Sequence, residues 1–411
     1  MLRSMYSGIS GMKNFQTKLD VIGNNIANVN TYGFKKGRAT FQDLMNQTIS
    51  GASRATENLG GQNAMQVGLG ATLATIDTIQ TQGSVQTTGR SLDVAVSGDG
   101  FFVVRQGNNE MYTRAGNFYL DSNGSLVTGG GSLVQGYGIN NDGTVQNDLG
   151  DIVIDSDATM PPQATENVTF DGNLKASQPI DEDGNPIPEQ PVLIGFKAKD
   201  SLGQDIDLTL TLTRGANVNE WDATVSGPTI TGTANMTLTF DEQGKLPNPT
   251  NLGISVQLNN GAASPQNINV DFSKLTQFDS SNSANVDTVD GNAEGSLESF
   301  NIGSSGEVNG VYSNGEVNVI AQLALATFSN AEGLTKAGSN LFQASNNSGL
   351  PNVGTAGEGR GSLLSGSLEM SNVDLSEEFT EMITAQRGFQ ANTKIITTSD
   401  EILQELVNLK R

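Results

Sequence analysis

Apolar residues near the N-terminus recur at alternating three- and four-residue steps: Leu2, Met5, Ile9, Met12, Leu19 and Ile26. The C-terminal stretch 375–407 repeats the pattern with Leu375, Phe379, Met382, Phe389, Ile396, Leu403 and Val407. That spacing predicts a coiled-coil-type helix at each end, the first to about Asn28 and the second from about Asp374. Asp374-Leu375-Ser376-Glu377 adds a start signal, an N-cap aspartate with a glutamate at the third helical position. Both stripes are interrupted. Gln16 and Gly23 fall on the first register, Gln386, Thr393 and Asp400 on the second, and Gly8 and Gly11 each cost about 1 kcal/mol relative to alanine in a helix. A helix pair so weakly filled is marginal alone, and copies of the chain are expected to supply the missing burial.

Between the ends the period changes to two. Leu73, Thr75, Asp77 and Ile79 alternate with other residues, as do the runs Asp207–Leu212 and Met236–Phe240, and 319–328 reads as a further strand. Gly98-Asp99-Gly100, Asp121-Ser122-Asn123-Gly124 and Asn141-Asp142-Gly143 are hairpin signals. Residues 31–70 are expected to be an irregular connection with one short helix around Phe41–Ile49, and 345–361 a Gly/Asn loop. The expected fold is mainly β and multi-domain, with nested, discontinuous β-domains and terminal helices forming a coiled coil. The expected organisation is a helical core from 1–30 and 372–411, a discontinuous β-domain from 71–150 and 291–371, and an inserted β-domain from 151–290. One helix enters the β-body and the other returns from it, so the two should run antiparallel.

Composition sharpens these boundaries. Residues 151–290 hold ten of the eleven prolines, the sole Trp, Trp221, and twenty acidic against six basic residues. The leader 1–40 is the reverse, with six Lys/Arg against Asp20 alone, in a chain of net charge −22. So acidic a body disfavours non-specific nucleic-acid binding. No apolar run of signal-peptide type follows the basic residues and none approaches a membrane span, so any export is expected to use another route.

The chain has no Cys and no His, which removes disulfides, thiolate and imidazole catalysis and nearly every zinc or haem site. Paired acids such as Glu166/Asp171 and Asp205/Asp207 have the composition of glycosidase carboxylates, but 44 acidic residues produce such pairs by chance. Trp221 reads as a core residue before a sugar platform. Asp181-Glu182-Asp183-Gly184-Asn185 is a faint calcium loop with Val192 where a bidentate glutamate belongs. Asp121–Gly124 mimics an ion loop and reads as a turn. Gly357-Glu358-Gly359-Arg360-Gly361 follows no expected strand and lacks a following Lys-Ser/Thr, so it is not a phosphate loop. Arg387 and Lys394 read as a solvated helix face. Lys35, Lys36 and Arg38 are too few for a lipid-binding patch.

Three stretches carry a family resemblance. The leader Leu19-Asp20-Val21-Ile22-Gly23-Asn24-Asn25-Ile26-Ala27-Asn28-Val29-Asn30-Thr31-Tyr32-Gly33-Phe34-Lys35 resembles that of bacterial flagellar axial proteins, the rod, hook and junction subunits. The run Gly89–Phe102 is similar to the opening of their shared β-domain, and Ser371–Leu375 with Gln386–Asn392 to their C-terminal helix. Length, the acidic insertion and the run Ala326–Leu334 are most similar to hook-type members, with distal rod and hook–filament junction types as alternatives. An acidic extracellular glycan-binding protein or glycosidase is the alternative from another class.

The resemblance implies a self-assembling structural subunit with no cofactor, metal or catalytic centre. Its helices would line a narrow export channel inside a flexible tube that transmits torque. Its implied partners are further copies of itself, the distal rod protein, the hook cap, the junction protein and the flagellar type III export apparatus, and its place is the flagellum outside the cell. The thirteen stripe residues named above would form the assembly interface. Phe41 and Met45 resemble an export element.

Overall fold

The computed structural model describes residues 2–54, 60–140, 144–155, 157–177, 189–227, 230, 234–247, 251–357 and 359–409. The chain divides into two compact units, one of residues 1–155, 300–309 and 319–411, the other of 156–299 and 310–318.

In the first unit both terminal helices form, α1 over Leu2–Ala27 and α2 over Leu375–Leu409. At 1.5 Å per residue the 35 residues of α2 extend about 52 Å. The two run antiparallel: Gly8 and Gly11 lie against Asn392, Phe15 against Gly388, Lys18 against Glu381 and Asn25 against Glu378. Asp374 caps α2, its carboxylate accepting from the backbone N–H of Ser376 at 2.8 Å and of Glu377 at 3.3 Å. The expected reciprocal bond does not form, because the Glu377 carboxylate turns to the Lys36 ammonium, 2.8 Å away.

The segment after α1 departs from expectation. Residues 41–49 form no helix; strands Gly37–Asp43 and Gln47–Ser50 occupy them. The first pairs antiparallel with Ala71–Thr78, with a register break at Thr40/Phe41 and a 2.6 Å hydroxyl contact between Thr40 and Thr75. A period-two partner strand recruits a segment whose local pattern also permits a helix, so tertiary pairing overrides it.

The β-body of this unit places Val317–Thr327, Leu133–Ile139, Phe101–Gln106, Asn109–Thr113, Leu341–Gln343 and Thr335–Gly338 side by side in one sheet. Phe101, Val103, Tyr112, Ala324, Ala326, Leu334 and Phe342 form its core, and Phe328 meets Phe101 and Tyr112 edge-on. Burial pushes the Tyr112 hydroxyl up to about 12, with Glu110 adding to the effect. Asp121–Gly124 makes the expected hairpin turn, the Asp121 carboxylate accepting from the N–H of Asn123 and Ser125.

Gly98-Asp99-Gly100 does not close a hairpin. Both glycines take positive φ, but Val94–Ser97 pairs with Ser362–Ser365 while Phe101–Gln106 pairs with Asn109–Thr113. The turn hands the chain from one sheet to another. The expected 345–361 loop likewise contains a short strand, Asn352–Thr355, on the flank of Val317–Thr327.

The second unit contains two four-stranded sheets. One orders Asn251–Val256, Gln266–Phe278, Asn167–Lys175 and Asn285–Val289; the other Val192–Lys199, Asp205–Arg214, Glu220–Ser226 and Asn235–Thr239. Strand Asp205–Arg214 shows why: Ile206, Leu208, Leu210 and Leu212 are buried and the intervening residues are not. Their inner faces share one core, in which Phe170 meets Phe196 edge-on and Trp221 is 1% exposed. The Arg214 guanidinium lies 4.9 Å over the indole and donates to the carbonyls of Lys175 and Ala176.

Candidate assembly interface

The surfaces that α1 and α2 turn toward each other are not the stripes expected from apolar spacing. On α1 the seam runs through Gly8, Gly11, Phe15, Lys18, Ile22 and Asn25; on α2 it runs through Glu378, Glu381, Ala385, Gly388, Asn392 and Ser399. Both follow a three–four repeat, displaced from the apolar stripes. Small residues set the displacement by letting the backbones approach. A methyl on Gly388 would stand 2.5 Å from the Phe15 ring, and one on Gly11 2.9 Å from the Asn392 side chain.

The expected interface residues therefore flank the seam. Met5, Ile9, Met12, Leu19, Ile26, Met382, Phe389, Ile396 and Leu403 are half-buried. Leu375, Phe379 and Val407 are exposed, as are Ile383, Ile395, Ile402 and Leu409. Leu2 lies in α1, with its side chain outside the described residues. The supposed weak core positions Gln16, Gly23, Gln386 and Asp400 are exposed and weaken no core; Thr393 is half-buried against Met12. The α2 stripe therefore borders the seam, with Ile396 3.6 Å from where a methyl on Gly8 would stand, and turns outward at Leu375, Phe379 and Val407.

At the base of the helix pair the leader signature resolves into a set of buried polar contacts. Asn25 is 2% exposed; its amide exchanges hydrogen bonds with the N–H and C=O of Gly37 and donates to both Glu378 carboxylate oxygens at 3.2 Å. Burial raises the Glu378 carboxyl above its ordinary value, against the opposing bond from Asn25 and the charge of Lys36. Asn372 accepts from the Lys36 N–H and donates to the carbonyls of Ile79 and Thr81. Gly33 needs its φ of +67°, since a methyl there would stand 2.6 Å from the Ala115 nitrogen; its N–H donates to the Glu369 carbonyl.

Lys35 is 1% exposed. Its ammonium sits 2.6 Å from Glu369 Oε1 and 2.9 Å from the Thr81 carbonyl, while Glu369 also accepts from Gly83 N–H and from Arg114 at 3.4 Å. Burial pulls both cations below their ordinary values, with Glu369 opposing. Sequence reasoning missed Asn25, Lys35 and Glu369 as buried partners. Only the excess positive charge of the leader hinted at them.

The remaining candidates resolve plainly. Phe41 and Met45 are exposed, Met45 at 84%, on and just after a strand edge. Asp205 is ion-paired with Lys199 and Lys197, whose ammonium groups hold it below the ordinary carboxylate range, and Asp207 and Glu166 face solvent. Trp221 in its core offers no sugar platform. Residues 181–185, 141–143 and Glu358 lie outside the described residues. Arg387 and Lys394 are exposed, and Lys36 and Arg38 are paired with Glu377 and Asp77. Among the described residues no three metal-capable side chains cluster, and no helix is long and apolar enough to cross a membrane.

Four family models match this chain in order. They are a flagella basal body rod protein model at residues 5–35 and a flagellar hook protein FlgE/F/G D1 domain at 95–176, then a flagellar basal body protein FlaE D2 domain at 195–292 and a flagellar basal body rod FlgEFG protein C-terminal model at 364–409. The flagellar hook protein FlgE of Borreliella burgdorferi is 42% identical and that of Treponema pallidum 40%, each over all of both chains. The flagellar basal-body rod protein FlgG of Bacillus subtilis is 39% identical, again over all of both chains.

Proposed function

This chain belongs to the family of flagellar rod and hook proteins, and we propose that it is a structural subunit of the hook whose terminal helices bind further copies of itself. One observation carries the reading: α2 spends its small and polar residues on α1 and keeps Leu375, Phe379 and Ile383 outward. Three exposed apolar side chains at four-residue steps form a row over the first two turns of α2 that suits a helical neighbour. Packing against other copies completes the burial that one helix pair leaves open.

The finer features rest on the family and on composition. The helices line a channel for export, the assembled tube transmits torque as a flexible joint, and the acidic block 151–290 forms outer domains with polar, mutually repelling surfaces. Partners at the ends of the tube are the distal rod protein, the hook cap and the junction protein, and the subunit reaches the cell exterior through the flagellar export apparatus, with Phe41 and Met45 as its export element. It has no catalytic centre; the absence of His and Cys supports this.

Electron microscopy of the purified chain, with and without residues 1–28, tests the reading. Long tubes with a central channel from the full chain alone are the expected result. Short plugs or monomers from both samples would overturn it, and straight short tubes would favour a rod role, for which the match to FlgG speaks.

A further inference from the structure

Lys35 and Glu369 stand 334 residues apart in sequence and meet where the leader, the start of α2 and the β-body converge. Every polar atom of the pair that the contacts describe is matched: the ammonium by Glu369 and Thr81, the carboxylate by Lys35, Gly83 and Arg114. The next residue, Lys36, is tied separately, its N–H to Asn372 and its ammonium to Glu377. A leader displaced by one residue would place Phe34 or Lys36 in the slot. The first takes the ammonium away from Glu369 Oε1 and the Thr81 carbonyl in a dry site; the second strips Glu377 and Asn372 of their partners.

We propose that Lys35, with Glu369 and Arg114, is a positioning key. It admits the leader to the β-body in one register and so sets how α1 and α2 leave that body. The physical reason is an asymmetry. Removing one member of a buried charge cluster is severe, but replacing the whole cluster by apolar side chains of similar volume often restores stability. Such a cluster adds little stability and is retained for the single arrangement it permits; a lone buried polar residue fixing coiled-coil register works the same way. The inference concerns the free subunit, while its consequence for tubes rests on the function proposed above.

The experiment compares the full-length wild type with Lys35→Met, with the triple variant Lys35→Met/Arg114→Met/Glu369→Leu, and with Lys36→Ala. It reads thermal stability and hydrogen exchange at the Gly33, Lys36 and Gly37 amides. Lys35→Met should lose protection at these amides by roughly 100-fold or more. The triple variant should recover most of the melting temperature while those amides stay weakly protected. Lys36→Ala, which removes a partly exposed pair, should change either reading less than tenfold. A triple variant with wild-type protection would overturn the proposal, since apolar burial would then position the leader equally well. So would a Lys35→Met protein with unchanged protection. These readings need no polymer, so a wild type that forms no tubes would count against the proposed function and not against the key.

Discussion

The inserted unit and the terminal helix pair solve the problem of burial in opposite ways. In the inserted unit, strands alternate cleanly and both sheets turn Val, Ile, Leu, Phe and Trp inward, until Trp221, Leu210 and Phe272 are sealed from solvent. That core is finished within the chain. Among its described apolar residues the helix pair seals only Ile22 and Ala385, fills the rest of its seam with Gly, Asn, Ser, Glu, Lys18 and the half-buried Phe15, and leaves large side chains outside. A finished core makes a module that holds its shape whatever surrounds it. An unfinished one makes a module whose apolar faces await a partner, as a subunit of a polymer requires.

The contrast can be broken from either side. Trp221→Ala should cost about 3–5 kcal/mol, lowering the melting transition of the inserted unit in calorimetry while the circular dichroism of the helices holds. A shared loss would mean that the two regions are energetically one. Gly388→Leu should cost about 1–3 kcal/mol by forcing Phe15 out of the seam, seen as lost helicity and a separation of α1 from α2. Phe379→Ser with Ile383→Ser should leave the monomer within about 0.5 kcal/mol of wild type, yet shorten or abolish tubes in electron micrographs. Unchanged tubes would show that this face is not the contact surface.

The smallest effect concerns Glu378. Its folded value is raised above the unfolded 4.5 by burial. Protonation is therefore favoured in the fold, and the stability it brings is complete below pH 4.5 and lost as pH rises through the raised value. Glu378→Gln keeps the partner for Asn25 without the charge, so it should flatten that stretch of the pH–stability curve. A slope equal to wild type would place the titration elsewhere.

Much of the fold was legible in the residues. The two helices, the Asp374 cap, the turn at Asp121–Gly124 and the alternating strands around 207–212 and 236–240 follow from local periodicity, which acts over a few residues and leaves its mark in order. The seam did not. Counting large apolar side chains points to Leu375, Phe379 and Val407, whereas close helix approach is governed by where side chains are small, and Gly8, Gly11, Ala385 and Gly388 carry no hydrophobic signal. The strand Gly37–Asp43 was hidden for a related reason, since its partner lies some thirty residues on.

Lys35 marks the boundary between the two kinds of knowledge. By itself the sequence determined the class of structure, the absence of His and Cys chemistry, the acidic composition of 151–290 and, through its three signature stretches, the family. Each is written in composition or short-range order. Only the tertiary structure decided which face of each helix meets the other, and that a lysine in an Asn-rich loop is buried against a glutamate 334 residues away. Burial of a charge depends on what closes over it, and that is supplied by the far end of the chain.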